Sequence, residues 1–195
     1  ISMIRFFDFI FSLIGLILLS PIIIVLLLIG FFDTGSPVFC QERVGKNKQP
    51  FNLYKLRSMH VDTKSVATHL ANYSAVTKYG AFLRKSKLDE LPQLWNVLLG
   101  DMSLVGPRPN LYNQVELIQE RDSSGVYQVV PGITGLSQIN KIDMSTPQLL
   151  AETDAKMTSN LTVALYFKYI IMTVFGKGSG AVSYTHLTLP TNREV

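Results

Sequence analysis

The chain of 195 residues holds a single cysteine, Cys40. That excludes a disulfide framework and any zinc site built on cysteines. Histidine is nearly as scarce: His60, His69 and His186 are scattered, with no metal-ligand spacing among them. Charged residues make up only 16%, against ~25% in an average soluble domain, while apolar types reach 47%. Mean hydropathy is +0.24. A disordered or mucin-like chain is thereby excluded. Acidic residues are short in one block: residues 41–88 carry a net +8, against −1 for residues 1–40 and −3 for residues 89–195. A basic block beside a greasy segment points to anionic partners, namely lipid headgroups, phosphates or nucleic acid. The length suits one domain with a small appendage, and there is no internal repeat or flexible linker.

The longest apolar run is residues 9–32, which contain no charge. As a straight helix it measures ~36 Å, enough for a hydrocarbon core ~30 Å thick. It is too long for the apolar region of a cleavable signal, and no small-residue cleavage site follows. Ser20-Pro21 sits near its middle. Pro21 takes the partner from the carbonyl of Ile17, and the Ser20 hydroxyl is expected to bond back to Leu16. Two readings follow: a helix-break-helix that enters and leaves by one face, or a single spanning helix with a kink. Basic residues on both sides (Arg5, then Arg43, Lys46 and Lys48) favour both ends lying in the cytoplasm.

Beyond Asp33-Thr34-Gly35-Ser36-Pro37, a turn cluster, residues 38–44 and 51–59 read as two strands joined by a basic turn. Residues 60–78 are polar and weakly patterned. Helices are expected over 79–85, from 86–90 to Leu99 with Gly100 as the stop, over 113–121, from Pro147 at a first-turn position, and over 161–175. Residues 101–110 read as a loop, and 130–139 as turn plus short strand. The Thr/Leu stretch 181–195 breaks the pattern and reads as a non-native tail. The fold class is α/β in the α+β sense: a small, helix-rich, membrane-associated domain over 34–180, preceded by an anchor over 1–33.

Four stretches are candidates for chemistry. Asp89 and Glu90 are adjacent carboxylates at an expected helix start, after Arg84, Lys85 and Lys87. An ionised Asp there can bind Mg²⁺ or attack phosphorus; the same residues, with Ser86 three before Asp89, also read as an ordinary capping box. Gly106-Pro107-Arg108-Pro109 pre-orders a guanidinium that suits a phosphate, or is a stiff surface loop. Pro131–Gln138, with Gly132, Thr134, Gly135 and Gln138, can form a backbone concavity for an oxyanion, or a plain turn. The hairpin with Gln41, Arg43, Lys55 and Arg57 can meet headgroups or a diphosphate, or be a solvated face. Nucleic acid is a weaker reading, because Phe39, Phe51 and Tyr54 look like core rather than a stacking platform. The apolar residues of 161–175 read as core, or as a surface lying on a membrane.

In this order the stretches resemble one family, the bacterial sugar transferases, or monotopic phosphoglycosyl transferases. The resemblance rests on Arg5-Phe6-Phe7-Asp8, Ser20-Pro21, Ser36–Gly45 and Tyr54–Met59. It is most specific over Leu88–Val97 and Gly100–Pro109, and ends with Pro131–Asn140. It covers roughly residues 4–180.

The resemblance implies transfer of a sugar-1-phosphate from a UDP-sugar to polyprenol (undecaprenyl) phosphate, with release of UMP. It implies a re-entrant anchor broken at Ser20-Pro21. Asp89 would be the nucleophile, forming a phosphosugar ester, with Glu90 its partner. Mg²⁺ would be the cofactor, touching Asp89. Arg108 would sit at the phosphates. The stretches read above add Arg84, Arg43, Lys55, Arg57, Gly132, Thr134 and Gln138 as candidate substrate contacts. The place implied is the bacterial inner membrane, catalytic domain on the cytoplasmic face, with no nucleic acid partner. The family's larger members carry extra membrane helices ahead of this domain, so the chain resembles the minimal form. It departs from the family pattern at Val130, where many members carry Arg or Lys, and at Lys141, where Gly is common. The competing class is a non-enzymatic, membrane-anchored module that holds anionic lipid or nucleic acid through the hairpin. A direct sugar transfer, releasing UDP, is a second alternative.

Overall fold

The computed structural model describes residues 2–63 and 75–176. The stretch 64–74, within the polar region above, and the suspected tail 181–195 lie outside the described residues.

The first element is α1, Ser2–Thr34, and it runs uninterrupted through Pro21. The expected break is absent as an interruption of the helix, and the reason is local. The Ser20 hydroxyl donates to the carbonyl of Ile17 at 2.8 Å, not to Leu16. Ile17 is the residue whose carbonyl Pro21 leaves without an N–H, so the serine closes the gap its neighbour opens.

α1 is fastened to the rest of the chain near both ends. Toward its start, Arg5 donates to the carbonyls of Val97 and Leu98. Asp8, 2% exposed, accepts from the Ser103 hydroxyl, the Leu104 N–H and the Tyr166 hydroxyl at 2.8–3.0 Å. Toward its end, the Tyr79 hydroxyl donates to Leu26 O at 2.6 Å and Thr77 to the Asp33 carboxylate at 2.7 Å. Between these fastenings Leu18, Ile22, Ile24 and Val25 are exposed.

Strands β1 (Val38–Val44) and β2 (Pro50–Leu56) form the expected antiparallel hairpin, in register from Val38 opposite Leu56 to Val44 opposite Pro50. Its tip turns through Asn47 and Lys48, both at positive φ. Helix α2, Lys78–Ser86, is capped by Thr77, whose hydroxyl accepts from the Gly80 N–H. Helix α3, Gln93–Leu99, ends on Gly100 at φ 99°, the left-handed stop expected there. It packs along α1, where a Cβ at Gly15 would meet Leu94 at 3.2 Å.

The loop expected over 101–110 contains a strand, β3 (Ser103–Val105). It pairs in parallel with β4 (Gly132–Thr134). Helices α4 (Val115–Ser123), α5 (Leu136–Ile139), α6 (Pro147–Asn160, proline at its first position) and α7 (Val163–Val174) complete the described fold. The fold is therefore helix-rich with two small sheets. One apolar cluster (Val105, Ile139, Met157, Tyr166, Tyr169) joins β3, α5, α6 and α7, and Phe7 of α1 packs on it. A second (Leu26, Leu56, Leu83) ties α1 to the hairpin and α2. A third (Leu53, Val97, Met102) lies beneath β2 and α3. On α7 the outer residues Ile171, Val174 and Phe175 are exposed, while Tyr166 and Tyr169 are core.

Candidate active site

Asp89 and Glu90 stand on a single 3-10 turn, Leu88–Glu90, not on the first turn of an α-helix. Lys87, at φ 57°, ends α2 in the left-handed region and reverses the chain into this turn; Pro92 then opens α3. The capping-box alternative does not hold. Ser86 is the last residue of α2, and its hydroxyl donates back to Phe82 and Leu83. Leu88 and Leu91 pack against the cluster of Leu26, Leu56 and Leu83 and pin the turn from either side of the two carboxylates.

The hairpin and the Arg108 loop supply the cations. Alternation along a strand puts Gln41 and Arg43 on one face of β1, with Lys55 on the same face of β2. The Arg108 guanidinium donates to Glu90 Oε1 at 2.8 Å, and the Lys55 ammonium lies 3.7 Å from the same oxygen. Arg43 is 6% exposed and donates to Gln41 Oε1 and the carbonyl of Pro109. Arg84 donates to the Ser58 hydroxyl at 2.9 Å, and its charge reaches Asp89.

The two carboxylates thus sit in different fields. Burial pushes the Glu90 carboxyl up, but Arg108 and Lys55 together overcome it and hold its pKa at about 2. Asp89 moves the other way. Burial and the negative charge of Glu90 raise its carboxyl above the ordinary 3.8, against the pull of Lys55, Arg108 and Arg84. Burial lowers Lys55, with Glu90 opposing, and lowers Arg43 to about 10, with Arg108 adding to the effect. Glu90 raises Arg108. Glu90 is committed to the cations, whereas Asp89 is a more basic carboxylate outside the ion pairs among the described residues.

This division has a stability consequence. The Glu90 pKa is about 2 in the fold and 4.5 ordinarily, so the native state holds the charged form more tightly than the unfolded chain does. The linked stabilisation, ~3 kcal/mol, is present above pH 4.5 and is lost as pH falls through about 2. Glu90→Gln should therefore be less stable than wild type at pH 7, and the gap should close between pH 4.5 and pH 2. Denaturant unfolding of both proteins in lipid nanodiscs at several pH values checks it.

Among the residues singled out from the sequence, the structure brings together Asp89, Glu90, Arg108, Lys55, Arg43 and Arg84. It places the others elsewhere. Arg57 donates to Ser36 and Val38 and stacks over Phe39, so it braces the exit of α1. The Gly132 N–H is taken by the carbonyl of Pro107. Thr134 shares a hydrogen bond with Thr173 at 2.6 Å. The Gln138 amide is buried beside Gly135, with no hydrogen-bond partner among the described residues. The segment around Gly132 is thus a strand that backs the Arg108 loop, and the Gly132 N–H is engaged in that support rather than turned to an oxyanion.

The sequence reading missed the support behind that loop: Arg121 on α4 and Asp154 on α6, paired at 2.6 Å. The signal was present. Leu117 and Arg121 fall on one stripe of α4, and Leu150, Ala151, Asp154 and Met157 on one stripe of α6. A charge on an apolar stripe requires a buried partner, and these two stripes carry opposite signs.

The family model for bacterial sugar transferases matches residues 2–178. The chain belongs to the bacterial sugar transferase family. It is 38% identical over 171 residues to the uncharacterized sugar transferase EpsL of Bacillus subtilis, covering 87% of this chain and 84% of that one. It is also 38% identical over 181 residues to the UDP-glucose:undecaprenyl-phosphate glucose-1-phosphate transferase of Klebsiella pneumoniae, covering 88% of this chain and 39% of that one. Identity to the undecaprenyl-phosphate galactose phosphotransferase of Salmonella typhimurium is 37% over 162 residues, 73% of this chain and 34% of that one. The chain spans little more than a third of the last two relatives. In the sugar transferase described here, the matched region contains both the apolar helix α1 and the Asp89–Glu90 turn.

Proposed function

We propose that the chain transfers a sugar-1-phosphate from a UDP-sugar to undecaprenyl phosphate and releases UMP. The observation that carries this reading is the division between the two carboxylates. Glu90 gathers Arg108 and Lys55, while its neighbour Asp89 stays outside the ion pairs with a raised pKa. A carboxylate more basic than usual, beside fixed cations, suits attack on a phosphorus whose oxygens those cations hold.

In the first step an Asp89 carboxylate oxygen bonds to the β-phosphorus of the donor. The bond from that phosphorus to the bridging oxygen breaks, and its electron pair leaves with UMP. In the second step a phosphate oxygen of the lipid attacks the same phosphorus and Asp89 departs as carboxylate. Arg108, Arg43 and Lys55 hold the charged oxygens throughout. Glu90 keeps Arg108 and Lys55 in place, and Arg84 favours the ionised form of Asp89.

The residues present fit Mg²⁺ as a cation shared with substrate. Among the described residues no group of three or more His, Cys, Asp or Glu could enclose a metal. Mg²⁺ commonly rests on one or two carboxylates plus substrate phosphates and water, and Asp89 is the carboxylate outside the ion pairs. When bound, it would offset the charge of the diphosphate.

The fastenings of α1 support the re-entrant anchor reading. Arg5 and Asp8 near one end and Leu26 and Asp33 near the other all bond to the same catalytic region. On this reading both ends of α1 lie on one face of the bilayer, and the exposed apolar residues of its middle meet the near leaflet. The bilayer is the bacterial inner membrane, with the site on the cytoplasmic side that holds nucleotide sugars. The relatives above are named for glucose and for galactose, so the sugar is sought with a panel.

The test is incubation of the full chain in nanodiscs with Mg²⁺, undecaprenyl phosphate and a panel of UDP-hexoses and UDP-N-acetylhexosamines. UMP release that depends on the lipid phosphate is expected with at least one donor. Release of UDP instead would replace this reading with direct sugar transfer. Absence of any nucleotide product would leave a membrane-bound binding module.

A further inference from the structure

The loop that carries Arg108 does not hold itself. Pro107 and Pro109 have no N–H, so the segment contributes little to its own hydrogen bonding. Its four consecutive carbonyls are all held from outside. Pro107 O accepts from the Gly132 N–H at 2.8 Å, and Asn110 O from the Val44 N–H at 3.0 Å. Pro109 O accepts from Arg43 at 3.2 Å, and Arg108 O from Arg121 Nη1 at 2.9 Å.

The Arg121 contact falls on the residue whose side chain reaches Glu90. Arg121 is itself locked. Its Nε and Nη2 donate to Asp154 Oδ2 at 3.1 and 2.6 Å, and its Nη1 also reaches Asn110 Oδ1 at 2.9 Å. The Ser137 hydroxyl donates to Asp154 Oδ1 at 2.6 Å, and the Tyr127 hydroxyl to Asn110 Oδ1 at 3.0 Å. Arg121 is 1% exposed and Asp154 is fully buried. Because Asp154 offsets its charge, Arg121 acts on the site by geometry more than by field. A stiff Pro-Arg-Pro backbone passes a shift of the Arg108 carbonyl on to its guanidinium.

We infer that Arg121, oriented by Asp154 and Ser137, is a positioning residue that sets where the Arg108 guanidinium stands for the substrate diphosphate. The inference rests on the proposed role of Arg108 at the phosphates. It assigns a functional part to a buried pair that otherwise reads as core.

The experiment is a double-mutant cycle on the full chain in nanodiscs. Arg121→Lys keeps the charge and a contact to Asp154 but loses the planar fork that serves Asp154, Arg108 and Asn110 together. It is combined with Arg108→Ala. Two readouts are taken: kcat/KM for lipid-dependent UMP release with the best donor of the panel, and affinity for pyrophosphate. Arg121→Lys is expected to cost about tenfold in each readout when Arg108 is present, the scale of coupling between contacting residues, and less than about twofold when Arg108 is alanine. Equal losses in both backgrounds would overturn the inference, since a merely structural role is indifferent to Arg108. If Arg121→Lys does not fold, Ser137→Ala, which leaves the ion pair intact, is taken through the same cycle with the same criterion. A wild type that turns over no donor would defeat the transfer reading alone, and the pyrophosphate cycle would still decide the role of Arg121.

Discussion

Asp89→Asn should abolish transfer, by roughly a thousandfold or more, while the protein stays folded in the membrane. The amide has no anionic oxygen to offer phosphorus, so no ester forms and no UMP leaves. Stability should be unharmed or slightly improved, because burial and the adjacent Glu90 already disfavour the Asp89 charge in the fold. That combination, activity gone and melting temperature held or raised, is the mark of a site that trades stability for reactivity. Two measurements check it. Lipid-dependent UMP release gives the loss of rate. Intact-mass analysis of wild type quenched with donor alone should show one added sugar phosphate that maps to Asp89. Near wild-type turnover by Asp89→Asn, or an adduct on another side chain, would end the covalent mechanism.

Gly132→Ala should be strongly damaging for so small a change. A Cβ there would lie 2.0 Å from the Gly106 nitrogen and 2.5 Å from its Cα. Both are backbone atoms, so no side chain can swing aside. The parallel pairing of β3 with β4 would have to part, and with it the bond from Gly132 to the Pro107 carbonyl. The expected cost is ~3 kcal/mol, or a melting temperature lower by about 10 °C, together with weaker transfer as the Arg108 loop shifts. The substitution also separates the two readings of this segment. An oxyanion cradle needs the Gly132 N–H, which alanine keeps, and would leave stability alone. A packed strand cannot tolerate the methyl. An unchanged melting temperature would reject the packing argument.

Local patterns made much of this molecule legible. The hairpin, α2, the Gly100 stop and the proline-led start of α6 follow from alternation, caps and turn residues, and all appear within a few residues of where those signals put them. Asp89, Glu90, Arg108, Lys55, Arg43 and Arg84 converge in the fold, although they come from three separate stretches of chain. What stayed hidden was set by distant partners. Residues 103–105 make a strand only because residues 132–134 lie beside them, and three residues inside a Gly- and Pro-rich segment carry no periodicity of their own. The 3-10 turn under Asp89 depends on Leu88 and Leu91 finding the cluster around Leu26, which propensity does not register. Pro21 left both a break and a kink open because it has no N–H for Ile17, and the Ser20 bond that meets that carbonyl was expected one residue earlier, at Leu16.

The polar fastenings at the two ends of α1 bear on how such a protein is made. Arg5 and Asp8 are held near the start of the helix and Asp33 at its close, all against the same catalytic region. On the re-entrant reading, none of these charges is ever dragged through hydrocarbon during biogenesis. On that reading the ribosome's product also settles from a single aqueous compartment, with the far leaflet left untouched. A protease or a membrane-impermeant label supplied to the opposite compartment is then expected to leave residues 2–34 uncut and unmarked.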